Sequence, residues 1–181
     1  MKKGTKTMQI AFCGMMAAFS VTLMFLSGIV SIASFAFPAL AGCVLVPVVV
    51  EAGLKWAYAV YCITAVLSFF LTADKEAMLI YVLFFGYYPA LFATIGKISS
   101  ALLRWTVKFL VINAAAVVDV LLTYFVFKLP MEEIISQNAV FIVLIWIALN
   151  LAFLLYDKAL DGIVLMYYSR FHKTVQKIFR F

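Results

Sequence analysis

Long apolar runs, separated by short polar connections, constrain this chain more than any other feature. Apolar residues fill 67% of its 181 positions, and its mean hydropathy is +1.15. A helix needs about 20 consecutive apolar residues to cross a bilayer. We therefore predict an all-α, polytopic membrane protein, with residues 1–181 forming a single transmembrane domain built as a six-helix bundle. The predicted spans are 8–31, 37–50, 55–72, 77–95, 106–127 and 139–156.

Two of the predicted spans contain residues that interrupt a regular helix. The second span is short and holds Pro38, Gly42 and Pro47. We expect a broken or strongly tilted helix inside the bundle, where irregular backbone is tolerated. In the fourth span, Gly86 and Pro89 predict a kink. The first span follows a lysine cluster, but it is too long for a signal peptide, so we expect it to be retained.

The basic residues predict that both termini are cytoplasmic. With six spans and the N-terminus inside, every Lys and Arg except Lys75 and Lys128 falls on the cytoplasmic side. The tail, 167–181, carries four basic residues on one helical face and is predicted to be an amphipathic helix on anionic lipid. The net charge of +6 is therefore attributed to the cytoplasmic ends of the spans and their contact with anionic headgroups. No nucleic-acid partner is expected.

Asp119 is the most unusual single residue, because it interrupts the apolar run 109–127, which has no internal basic residue. A carboxylate near the bilayer midplane costs about 2.5–3.5 kcal/mol on insertion scales, so it normally faces a protein interior or a wet cavity. Two interpretations stay open. Asp119 contacts a ligand in a cavity, or it is a protonated or hydrogen-bonded residue that holds helices together.

Polar and aromatic side chains near Asp119 could complete the wall of a pocket. Thr123 lies one helical turn further along the same face. The sixth span is antiparallel to the fifth, so it places Trp146 at a similar depth, whereas Asn113 and Asn150 lie deeper and level with each other. These residues predict a pocket wall formed by two neighbouring helices.

Small residues line one face of the first span. Ala11, Gly14 and Ala18 recur at helical spacing, and a face of small residues lets another helix approach closely in lipid. This pattern indicates either docking of a partner membrane subunit or packing within the bundle.

Signatures of catalysis and metal binding are nearly absent from the sequence. The one histidine, His172, lies in the basic tail, and no phosphate-binding loop or metal motif is evident. The three cysteines lie in apolar segments without the spacing of a zinc site or a disulfide framework. Asp157 and Asp161 are interpreted as a solvated helix end or as partners of a loop cation. We expect no enzyme activity, no cofactor and no bound metal.

These features resemble the substrate-binding S component of energy-coupling factor (ECF) transporters. The resemblance covers the architecture of the whole chain, with six spans, cytoplasmic termini and no attached ATPase. At the level of sequence motifs, the resemblance is confined mainly to the first span, where the family often shows AxxxA. Gly14 and Ala18 fit a version with two small residues, although Met15 interrupts a strict AxxxA from Ala11.

The resemblance implies a high-affinity subunit for a vitamin- or micronutrient-like solute, in a bacterial plasma membrane. A transmembrane coupling subunit would dock on Ala11, Gly14 and Ala18, and separate ATPase subunits would supply energy. Solute would bind in the outer half of spans four to six. The residues at that position are Tyr81, Asp119, Thr123, Asn138 and Trp146. The alternative is a small structural, regulatory or lipid-handling membrane protein that packs against a larger complex.

Overall fold

The computed structural model describes residues 3–30, 34–125 and 139–179, and all elements within these ranges are helical. The α-helices are α1 (Lys3–Ser27), α2 (Ala36–Cys43), α3 (Leu45–Glu51), α4 (Leu54–Leu71), α5 (Lys75–Ile80), α6 (Tyr88–Ile95), α7 (Ala101–Phe125), α8 (Ala139–Met166) and α9 (His172–Phe179). Two π-helical turns, Tyr81–Phe85 and Tyr167–Phe171, join α5 to α6 and α8 to α9. The all-α prediction is confirmed for these residues.

Five of the described helical segments are long and apolar enough to cross a membrane. They are Lys6–Ser27, Leu54–Leu71, Lys75–Ile95, Ala101–Phe125 and Val140–Lys177. The predicted span 37–50 corresponds to a shorter apolar segment, Ala36–Glu51. The described part of the chain therefore has the helices of a multi-pass membrane protein, with five long segments and one short one.

The short segment is broken between α2 and α3, as its prolines predict. Pro47 has no backbone N–H to donate to the carbonyl of Cys43, four residues earlier, and α2 ends at Cys43. Pro47 is tolerated because it lies in the first turn of α3. Beyond α3 the chain turns at Gly53, whose φ of +89° is left-handed backbone that suits glycine. The α2–α3 pair packs inside the bundle, against α1, α4 and α6.

Where a kink is predicted in the fourth span, the helix is interrupted by the π-helical turn Tyr81–Phe85. The N–H of Gly86 donates to the carbonyl of Tyr81 at 2.7 Å, and Pro89 follows in the first turn of α6. A Cβ at position 86 would lie 2.7–2.9 Å from ring carbons of Tyr61 and Tyr81. Glycine is therefore needed here because two aromatic rings contact the backbone.

The interior consists of separate apolar clusters. One lies between α1, α3 and α4 and includes Phe12 and Leu45. Another joins α6, α7 and α8 and includes Tyr88 and Phe153. Helix α9 returns towards α1, and Phe179 meets the ring of Phe12 edge to face with 5.0 Å between centroids. The apolar side of the tail thus packs on protein, and contact of its basic face with anionic lipid stays a prediction.

Each end of the bundle is identified by a lysine that lies there. The Lys75 end holds the start of α5, and the Lys97 end holds the residues that follow α6. The Lys75 end is the one predicted to face outside.

Candidate functional site

The four described members of the predicted ligand-binding set occupy the half of the bundle nearer the Lys75 end, in different environments. Tyr81 is fully buried, and its hydroxyl lies 3.5 Å from the hydroxyl of Ser20 on α1. Trp146 is half-buried and packs on the cluster between α6, α7 and α8. Asn138 lies outside the described residues. Tyr81 and Trp146 therefore belong to separate parts of the interior.

Asp119 is half-buried on α7, and Thr123 is buried one turn further along. The Oδ1 atom of Asp119 is buried and has no hydrogen-bond partner among the residues that the structure describes. A buried carboxylate oxygen without a donor carries a large desolvation cost. Such a group needs a proton, a water or a ligand. The placement therefore leaves both interpretations of Asp119 open.

Asn113 and Asn150 link α7 to α8 below Asp119. Each side-chain amide donates to the other's carbonyl oxygen, at 3.1 and 3.3 Å. Their predicted common depth is therefore confirmed. Beyond this pair, residues 140–145 of α8 are all exposed, so α8 closes no cavity over Asp119 within the described chain.

A buried polar seam between α1 and α4 was missed from the sequence. It consists of Ser20, Ser27, Thr64, Ser68 and Thr72, which are at most 2% exposed. Ser27 and Thr72 both donate to the carbonyl of Met24, at 2.7 and 3.2 Å. The signal was present, since residues 64, 68 and 72 recur at a spacing of four and so share one helical face.

Two hydroxyls of this seam lack a hydrogen bond of standard geometry. Ser68 Oγ is buried without a hydrogen-bond partner in the described ranges, and Thr64 Oγ1 makes no hydrogen bond of standard geometry there, although it lies close to the Tyr81 hydroxyl. Buried polar groups are normally hydrogen-bonded to protein or ordered water. The seam lies beside Tyr81, whose hydroxyl reaches Ser20.

The small residues of α1 face away from the bundle. Ala11, Gly14 and Ala18 are all exposed, whereas Phe12 and Ala17 are buried on the opposite side. A Cβ built on Gly14 would meet no atom within 4 Å in the described structure. Packing within the described chain therefore does not account for this face.

A buried ionic cluster joins α6, α7 and α8 nearer the Lys97 end. Lys108 Nζ lies 2.6 Å from Asp157 Oδ1, and the Tyr88 hydroxyl donates to the same oxygen at 2.5 Å. The Lys108 ammonium also lies over the rings of Phe92 and Trp105, 4.5 and 5.1 Å from their centroids. These are cation–π distances.

The structure corrects one interpretation of Asp157. Asp157 pairs with a cation, but that cation is Lys108 on helix α7 and not a loop residue. Asp157 is also only 1% exposed, so it is not a solvated helix end. Tyr88 follows the π-helical turn and packs on α8, where its ring meets Phe153 at 5.3 Å. Asp161, one turn further along α8, is exposed as expected. The missed signal was the position of Lys108 inside a predicted span, because a cation there usually has a partner.

A second buried carboxylate, Glu51, contacts the first residue of α9 and the π-helical turn before it. The Glu51 side chain is 1% exposed, and its Oε1 accepts from the Tyr167 hydroxyl at 2.8 Å. His172 Nδ1 lies 2.6 Å from the same oxygen. The only histidine thus ties the tail to the end of α3.

Two cavities open at the Lys97 end, with volumes of about 700 and 360 Å³. The larger lies between the end of α3, the start of α4, α6 and α8, and the smaller lies beside Lys108 and Asp157. Neither is lined by a described member of the predicted ligand-binding set.

Comparison of the chain with protein-family models, with curated proteins and with solved structures finds no match.

Proposed function

We propose that this chain is the solute-binding subunit of an ATP-driven importer in a bacterial plasma membrane, energised by partner chains. The observation that carries the proposal is the outward-facing set Ala11, Gly14 and Ala18 on α1. Small residues that face lipid allow a second helix to approach the backbone closely. A transmembrane coupling subunit would use this face, and ATPase subunits would bind that partner.

The solute site is proposed in the half of the bundle near the Lys75 end. Support comes from buried polar atoms without partners in the described chain, on Ser68 and Asp119. Unsatisfied donors and acceptors are groups that a bound polar solute can pair. Tyr81, beside the seam, offers an aromatic ring and a hydroxyl to a vitamin- or micronutrient-like molecule.

The proposal includes six spans with both termini in the cytoplasm. The broken α2–α3 segment is the second span, and the Lys97 end faces the cytoplasm because almost all basic residues lie on that side. Solute would then enter from the Lys75 end. Gating of that end by the partner complex would couple ATP hydrolysis to release.

Docking is tested by copurification from the native membrane. Gly14→Leu and Ala18→Leu place a branched side chain on the small face, so we expect partner subunits to be lost while the isolated chain still inserts. Ala59→Leu is the matched control, because Ala59 is exposed on α4 and receives the same added bulk elsewhere. Unchanged copurification with both α1 variants would contradict docking at this face.

Solute binding is tested by mass spectrometry of the denatured, purified chain. A subunit of high affinity should release a small molecule in a near 1:1 ratio. Release of lipid alone would instead support the alternative of a structural or lipid-handling membrane protein.

A further inference from the structure

The larger cavity at the Lys97 end has the chemistry of an amphiphile site. Its volume of about 700 Å³ falls in the usual range for ligand pockets, about 300–1,000 Å³. Most of its wall is apolar, with Val46 and Val49 from α3, and Leu160 and Val164 from α8. An apolar wall favours a hydrocarbon chain over a hydrophilic solute.

Two cations line this otherwise apolar cavity. Lys55 begins α4, Lys97 follows α6, and both are exposed. Neither ammonium forms an ion pair with a residue that the structure describes. The nearby carboxylate of Glu51 is buried and already contacts Tyr167 and His172. The cavity therefore combines an apolar wall with uncompensated positive charge, which complements an amphipathic anion.

The position of the cavity narrows the identity of that anion. Trp56 and Tyr168 also line it, and these residue types concentrate where the hydrocarbon meets the headgroups. The excess of basic residues predicts that this end faces the cytoplasm, where anionic lipids attract Lys and Arg. The lysines would then lie level with the headgroups of the inner leaflet.

We propose that this cavity binds one anionic phospholipid of the inner leaflet, with its phosphate at Lys55 and Lys97 and one acyl chain along the α3 and α8 wall. A free phosphate would use only the lysines and leave the apolar wall unoccupied. A zwitterionic lipid would fill the wall but would gain less from the two cations. This site is separate from the proposed solute site, and it does not depend on a coupling partner.

The test is lipid binding to the full chain after delipidation in detergent, measured by native mass spectrometry with phosphatidylglycerol and phosphatidylcholine. We expect tighter binding of phosphatidylglycerol. Lys55→Gln combined with Lys97→Gln should weaken that binding about 30-fold, which corresponds to about 2 kcal/mol, because each cation near an anionic headgroup contributes about half of that. Lys6→Gln with Lys158→Gln is the control, since it removes the same charge from exposed positions that do not line this cavity.

A second variant tests the apolar wall without changing charge. Ala93 lines the cavity, and Ala93→Phe should fill part of it and lower phosphatidylglycerol binding at least tenfold. Inorganic phosphate at the same concentration should not compete. Equal binding of the two lipids, full competition by phosphate, or wild-type affinity in the Lys55 and Lys97 double variant would each overturn the proposal. Both lysines are exposed, so their substitution tests the site even if Ala93→Phe fails to fold.

Discussion

Breaking the buried pair between Lys108 and Asp157 should destabilise the bundle strongly, because the two charges depend on each other. The pair joins α7 to α8 at 2.6 Å, with only 11% of the Lys108 side chain and 2% of the Asp157 side chain exposed. Loss of one partner from a buried ion pair typically costs about 3–5 kcal/mol, since the other charge stays desolvated.

The structure predicts that the two single substitutions differ. In Lys108→Met, Asp157 keeps only the hydrogen bond from Tyr88, so we expect the full cost of about 3–5 kcal/mol. In Asp157→Asn, the amide still accepts from Tyr88. Lys108 has a long, flexible stem near the start of α7, so it can move its ammonium towards water. We therefore expect a smaller loss of about 1–3 kcal/mol, the range for an unsatisfied buried polar group.

The free energy of unfolding should be measured by titrating mixed micelles with a denaturing detergent while following helicity. In the double variant Lys108→Met with Asp157→Asn, the cost should be clearly below the sum of the two single costs, because no unpaired charge remains. Asp161→Asn is the control, since Asp161 is exposed one turn away, and it should change stability by less than about 0.5 kcal/mol. Additive single costs, or a Lys108→Met variant as stable as the wild type, would refute this reasoning.

Three further predictions concern the site, the topology and the kink. If Asp119 contacts solute, Asp119→Asn should keep the fold and weaken binding by about 1.5–3 kcal/mol; unchanged solute affinity would remove Asp119 from the site. In a cysteine-free background, a cysteine at Lys75 should react with an impermeant reagent from outside and one at Lys97 should not, and external labelling at Lys97 would exclude the six-span topology. Gly86→Ala should lower the melting temperature, with a cost of about 1–3 kcal/mol, because its Cβ would overlap two aromatic rings. Gly162→Ala is the matched control, since a Cβ there meets no described atom within 4 Å, and equal melting temperatures would contradict the close packing at Gly86.

The sequence by itself determined the parts of this fold that depend on local chemistry. Apolar length placed the helices, because each backbone polar group must be satisfied within its own helix in lipid. Pro47 predicted the break between α2 and α3, since a missing N–H interrupts the ladder wherever the helix packs. Gly86 and Pro89 predicted the irregular fourth span in the same way, although the π-helical form of the turn needed the structure.

The tertiary structure decided which side of each helix faces its neighbours. In a soluble protein the apolar stripe of a helix marks its buried face. Here nearly every face is apolar, and lipid contacts satisfy apolar side chains as well as a helix does. The pattern therefore did not reveal that Ala11, Gly14 and Ala18 face outwards.

Long-range polar contacts depended on tertiary structure most of all. The Glu51 carboxylate meets His172 across 121 positions of sequence, and Asp157 meets Lys108 across 49. Each contact requires a particular rotation of two helices and a particular choice of neighbour. Neither is encoded in local spacing, because many rotations of an apolar helix bury similar surface in lipid. Polar residues inside the spans predicted that some side chains face a protein interior. Only the tertiary structure shows which of these side chains contact each other.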